Sequence, residues 1–179
     1  MRKLLITFVS IGAMMAGFYF SAQHFAVALP AANLSVSGSE VGSYRPDFTL
    51  ATNSGEMVSV DDYAGKTILI NFWATWCAPC REEMPILVDL QRSNAAKGLQ
   101  VVGIALDDAK VVNKFVQNFG ISYPVLVGES DVFDVSAAYG NTEGVLPYSV
   151  LIDSEGIIRW QYAGKLKHDD LTRRLKEFL

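Results

Sequence analysis

Cysteine and histidine are nearly missing from this sequence, whose 179 residues hold only Cys77, Cys80, His24 and His168. A structural zinc ion needs four ligands, and that set would have to draw in His24 beside an apolar leader, so no metal site is expected. Lysine and arginine never gather into a block, and the 15 of them are outnumbered by 19 Asp and Glu, for a formal net charge of −4. Such a balance argues against nucleic acid as the main partner. Charge is absent from most of the N-terminal stretch, where Arg2 and Lys3 are the only charged residues before Glu40. Setting those two aside leaves 13 basic against 19 acidic residues, a net of −6 for the remainder. No cysteine follows the apolar stretch closely enough to carry a lipid, and no internal repeat or low-complexity block is visible. What the chain has in quantity is apolar: 50% of its residues are hydrophobic and 11% aromatic, enough for the core of one ordinary domain behind a short leader.

The leader is Leu4–Ala22, uncharged and with only Thr7, Ser10 and Ser21 as hydroxyl residues. As a helix it would reach roughly 28 Å, close to the hydrocarbon thickness of a bilayer. Its positive end should stay in the cytoplasm, which sends the rest of the chain out. Ala26-Val27-Ala28 is a small-x-small cleavage pattern, so an uncleaved anchor and a cleaved signal peptide both remain open. Either way the domain is expected outside the cytoplasm. Residues 1–28 are therefore read as signal-anchor or signal peptide, 29–44, rich in Pro, Gly, Ser and Ala, as a linker, and 45–179 as the domain.

Beyond Arg45 the pattern predicts a hairpin, Phe48–Leu50 and Met57–Val60 around the turn Asn53-Ser54-Gly55. Lys66–Ala74 is almost continuously apolar, as expected of a central strand covered on both faces. A helix is predicted from about Pro79 to Ala96, burying Ile86, Leu87 and Leu90, with a kink at Pro85, which cannot donate to the carbonyl of Arg81. A strand Leu99–Ala105, a helix Lys110–Phe119 on a Val111/Val112/Phe115 stripe, a strand Tyr123–Val127 and a short helix Asp131–Tyr139 follow. A hairpin of Tyr148–Asp153 and Ile157–Tyr162, then a helix His168–Leu179 with Leu171, Leu175 and Leu179 in register, close the domain. Alternating βαβ units, a hairpin and a terminal helix make an α/β sandwich.

The two cysteines are spaced C-x-x-C, as Cys77-Ala78-Pro79-Cys80, between a buried strand and a helix start. Free backbone N–H groups and the positive end of the helix dipole stabilise a thiolate at Cys77, and thiolate is the nucleophile of disulfide exchange. Pro79 fits the first helical turn, where its missing N–H is not needed. A purely structural disulfide closing so short a loop would contribute only about 2 kcal/mol. A pair of plain buried thiols is at odds with an oxidising compartment.

The run Asn71-Phe72-Trp73-Ala74-Thr75-Trp76-Cys77-Ala78-Pro79-Cys80-Arg81-Glu82-Glu83-Met84-Pro85 resembles the active-site stretch of the TlpA/ResA-like proteins, exported or membrane-anchored relatives of thioredoxin. The resemblance runs over about residues 40–179 and implies a thioredoxin-like α/β/α sandwich with an added N-terminal β-hairpin and a central insertion, Asp107–Val127. It implies that Cys77 attacks a substrate disulfide and Cys80 resolves the mixed disulfide, the redox-active pair serving in place of any cofactor. In Gly144-Val145-Leu146-Pro147-Tyr148 it implies a cis Pro147 lying against the cysteines and presenting backbone to substrate, the alternative being an ordinary trans proline at a strand start. Leu146 and Tyr148 depart from the family's commoner Val-Pro-Thr. Trp76, Ala78, Pro79, Leu146 and Pro147 are thus the expected substrate-binding residues. Trp76 either shields the cysteines from one side or is a plain core tryptophan. Glu83 matches a family acid near the resolving cysteine and joins Cys77 and Cys80 as a candidate catalytic residue; Glu82 beside it is an equally charged alternative, and Asn71 stands where thioredoxin has a carboxylic acid.

The function the resemblance implies is dithiol reduction of other exported proteins, such as the haem-attachment cysteines of apocytochrome c or copper-insertion proteins of the respiratory oxidase. It also implies re-reduction by a membrane thiol–disulfide donor, and a place on the periplasmic or extracytoplasmic face of the bacterial inner membrane. Two other functions compete. A peroxiredoxin-like peroxidase normally has Thr three residues before its cysteine, where this chain has Ala74. A copper chaperone would want C-x-x-x-C and a later partner histidine, and only His168 lies downstream.

Overall fold

A computed structural model describes residues 38–179, and its centre is the almost continuously apolar segment that follows Lys66. Two short strands, β1 (Thr49–Thr52) and β2 (Met57–Ser59), precede β3 (Thr67–Trp73), in which all seven residues are buried. Helix α1 (Ala78–Asn94) leads to β4 (Leu99–Leu106), then α2 (Ala109–Phe119), β5 (Val125–Gly128) and α3 (Ser130–Ala138). Strands β6 (Tyr148–Ile152) and β7 (Ile158–Ala163) and helix α4 (His168–Leu175) complete it. The strands form one seven-stranded sheet in the order β2-β1-β5-β4-β3-β6-β7. Strands β3, β4 and β5 run parallel, joined by helical crossovers; β6 lies antiparallel to β3, and β1 antiparallel to β5.

Burial on both faces follows from the alternation within β3. Leu69 and Trp73 face a core that includes Leu87 of α1, Val112 of α2 and Leu171 of α4, whereas Ile68, Ile70 and Phe72 face one built with Val132 of α3 and Val60. Helices on both sides of the sheet make the expected α/β/α sandwich. The N-terminal hairpin belongs to the same sheet through β1 and β5.

Pro85 lies inside the helix as expected, and the helix continues past it to Asn94. Several boundaries and faces differ from expectation. Val111 is 47% exposed, because α2 meets the core through Val112, with Phe115 and Val116 packed against it. Leu179 is 38% exposed: α4 ends at Leu175, so the i+8 position is lost and Phe178 packs on the core instead, its carbonyl accepting from the Thr67 hydroxyl at 2.8 Å. Ile86 is half-buried. The last residues of the expected linker are docked: Gly42 donates to the Ile158 carbonyl at 2.8 Å, and the Ile158 amide donates back to Ser43 at 2.9 Å. Buried Arg45, paired with Asp47 and Asp61, anchors the chain where that segment meets the domain. Among the described residues no helix is long and apolar enough to cross a membrane. The leader 1–28 and the first part of the linker lie outside the described residues.

Candidate active site

The C-terminal end of β3 delivers the cysteines. After Trp73 the chain turns, the Cys77 amide donating to the Ala74 carbonyl at 3.1 Å and the Thr75 amide to the Asp107 carboxylate at 3.0 Å. Cys77 is the N-cap of α1 and is disulfide-bonded to Cys80, with their Cα atoms 5.3 Å apart. Its sulfur also accepts from the Cys80 amide at 3.3 Å, the place a capping oxygen usually takes. A sulfur at this position lies where helix N–H groups stabilise negative charge. Both cysteines are buried, Cys77 at 5% exposure and Cys80 at 0%. Ala78 and Pro79 are exposed beside it. Trp76 is 67% exposed, which removes the core alternative; the buried indole is Trp73.

The Leu146–Pro147 peptide is cis. Strand β6 pairs with β3 so that Tyr148 lies opposite Phe72, which puts Pro147 at the same end of the sheet as the cysteine turn. The Pro147 carbonyl accepts from the Gly164 amide at 2.8 Å.

Glu82 and Glu83, indistinguishable by charge in the sequence, part company in the structure. Glu82 is exposed and pairs with Lys165 at 2.6 Å, which lowers its pKa. Glu83 is wholly buried on the sheet side of α1, one turn after Cys80. One carboxylate oxygen accepts from Asn71 Nδ2 at 2.7 Å and the other from the Leu166 amide at 2.6 Å. Burial pushes its pKa up to about 7, and the bonds from Leu166 and Asn71 and the charge of Lys165 hold it from going higher. Asn71 Nδ2 also donates to Ser149 Oγ at 3.0 Å. Asn71, Ser149, Lys165 and Leu166 were absent from the expected site. The signal for two of them was present: Asn71 and Ser149 are polar residues inside apolar strands, and the register sets them opposite each other.

The ranking of these restraints gives an expected result. Asn71→Leu should move the Glu83 pKa above 7, and by more than Lys165→Gln does, as followed by carboxyl-carbon NMR against pH. Equal and negligible shifts would mean that burial alone sets the value.

Comparison with known proteins gives the site its family. The model of the family described as Redoxin matches residues 40–175. The chain belongs to the redoxin family. Among the relatives of this redoxin are the thiol-disulfide oxidoreductase ResA of Geobacillus thermodenitrificans, 34% identical over 137 residues that cover 76% of each chain, and the thioredoxin-like protein YneN of Bacillus subtilis, 35% identical over 142 residues that cover 77% of this chain and 80% of that one. A solved thiol:disulfide interchange protein of the thioredoxin family from Chlorobium tepidum superposes with a TM-score of 0.69 at 30% identity, covering 79% of this chain and 99% of that one. The redoxin domain thus has the thioredoxin-like fold and is a thiol–disulfide oxidoreductase of the ResA/DsbE type, with Cys77 and Cys80 as its disulfide pair.

Proposed function

We propose that the chain is an exported dithiol reductase, acting outside the cytoplasm on disulfides of other exported proteins. The observation that supports it most is the Cys77–Cys80 bridge at the N-cap of α1, with the less buried cysteine at the helix tip. In the reduced protein the Cys77 thiolate attacks one sulfur of a substrate disulfide, forming a mixed disulfide and releasing the other substrate sulfur as thiolate. Cys80, losing its proton to Glu83, attacks Cys77 sulfur; the second substrate thiol leaves and the Cys77–Cys80 bond forms. Two electrons pass from the pair to the substrate, and no cofactor takes part. A membrane thiol–disulfide donor restores the dithiol. Trp76, Ala78, Pro79, Leu146 and Pro147 border the substrate polypeptide.

Export rests on Arg2-Lys3 and the apolar run Leu4–Ala22, which hold the domain at the extracytoplasmic face of the inner membrane or direct its release. Haem-attachment cysteines of apocytochrome c and copper-insertion proteins are the substrates that the family likeness favours. Direction is the property to test. Equilibration against glutathione buffers should give a potential below roughly −200 mV, and a value near −120 mV would make the protein a disulfide donor instead.

A further inference from the structure

Charge is divided unevenly along the domain. Residues 38–158 carry seven Lys and Arg against 16 Asp and Glu, whereas residues 159–179 carry six against three. The positive part is one continuous region, strand β7 at the edge of the sheet with the loop and helix α4 that follow it. Three of its cations are engaged: Arg159 pairs with Asp153, Lys165 with Glu82 and Arg173 with Asp170. Lys167, Arg174 and Lys176 are exposed and have no carboxylate within ion-pair distance among the described residues. Such a field, opposite in sign to the rest of the domain, favours an anionic partner.

Lys167 and Arg174 stand two turns apart along one side of α4 and line a shallow groove against β7. The groove's other wall is aromatic. Trp160 and Tyr162 stack with ring centroids 5.3 Å apart, and the Arg174 guanidinium lies over the Trp160 ring at 5.0 Å. Tyr162 is 39% exposed and Trp160 is half-buried, so both rings meet solvent beside the cations. Amphipathic rings flanked by Lys and Arg suit a phospholipid headgroup layer, which takes the rings at its interface and the cations on its phosphates.

The path of the chain supplies a second, independent observation. The segment entering the domain runs along β7: the Ser39 carbonyl accepts from Gln161 Nε2 at 2.7 Å, and Gly42 and Ser43 bond to Ile158. Only the 15 residues 23–37 separate that segment from the apolar run that ends at Ala22. Fully extended they span at most about 50 Å. A leader retained in the bilayer therefore keeps β7 close to lipid, and contact between them becomes an intramolecular event.

We propose that the β7–α4 face docks on anionic phospholipid, with Trp160 and Tyr162 in the headgroup layer and Lys167 and Arg174 on phosphates. The proposal rests on the anchored form of the reading above. Gly164, just after β7, donates to the Pro147 carbonyl. Docking would thus hold the cysteine turn at the margin of the contact, open to protein partners.

The full chain in lipid nanodiscs tests it, one set of phosphatidylcholine alone and one with phosphatidylglycerol added, each with lipid brominated just below the headgroup. Bromine quenches an indole that enters the layer, and the signal lost in Trp160→Phe isolates this one. Trp160 should be quenched on the anionic discs and not on the neutral ones, and raised salt should release it. Lys167→Gln with Arg174→Gln should lower the ratio of docked to free domain by roughly 25-fold, about fivefold for each charge. Lys110→Gln with Lys114→Gln, which removes the same charge from α2, should leave that ratio unchanged. Equal quenching on both discs, or equal effects of the two double variants, would overturn the proposal, while a chain retained in the discs leaves the anchored reading standing. A chain that enters neither disc would overturn both. Crosslinks from Lys167 to an acidic protein, a second copy included, with Trp160 unquenched on anionic discs, would assign the face to that partner and likewise overturn the proposal.

Discussion

Cys77→Ser should abolish disulfide reduction, while Cys80→Ser should still attack substrates and accumulate as a mixed disulfide. The two sulfurs are bonded to each other, but their settings differ. Cys77 occupies the N-cap and keeps the only exposure the pair has, whereas Cys80 lies inside the first turn with none. An incoming disulfide can reach Cys77 alone, and Cys80 can reach only the bond that Cys77 then makes. Non-reducing gels and mass spectrometry of proteins captured in cells read both outcomes. Adducts on Cys77→Ser and none on Cys80→Ser would reverse the assigned order.

Glu83→Gln should slow the second half-reaction by roughly 10²-fold, the lower end of what a positioned general base contributes. The carboxylate accepts a proton only when ionised, and its pKa sits near 7 because burial disfavours the charge. The rate of mixed-disulfide resolution in the native protein should therefore be low at pH 5, rise through about pH 7 and level off above it. In Glu83→Gln that inflection should vanish. Asp introduced at Asn71 in the same background should restore part of the rate, because the Asn71 side chain already meets Glu83 at 2.7 Å. Glu82→Gln should do little, its carboxylate being exposed and paired with Lys165. Stopped-flow measurement of the resolving step across pH separates these variants. An unchanged rate and profile in Glu83→Gln would send the proton to bulk water.

The parts of this site that could be read from the sequence are those encoded within a few residues. The C-x-x-C spacing, the apolar run of β3 before it and the helix after it are local, and their placement follows from strand and helix periodicity. Pro147 stood out only through family likeness, since nothing in Leu146-Pro147-Tyr148 distinguishes a cis from a trans bond by itself. The restraints on Glu83 were out of reach for a different reason. They join residues 12 and 83 positions apart, and one donor is the backbone amide of Leu166, which no side-chain pattern advertises. Periodicity also erred where an element stopped early or touched the core along a narrow stripe, as at Leu179 and Val111. The docking of residues 42 and 43 on β7 was hidden by composition: small polar residues look the same in a linker and along a sheet edge.

The topology also sets an order of assembly. Strand β1 enters the sheet only through β5, pairing Ala51 with Val127, and residues 42 and 43 wait for Ile158. The earliest part of the domain to be made is thus the part whose partners are made late. Both contacts close long loops, and loop closure of that length slows folding more than it weakens the finished structure. During synthesis the N-terminal hairpin must remain without its neighbour until β5 has been made, so the central parallel strands can pair before the segment that precedes them is stitched in.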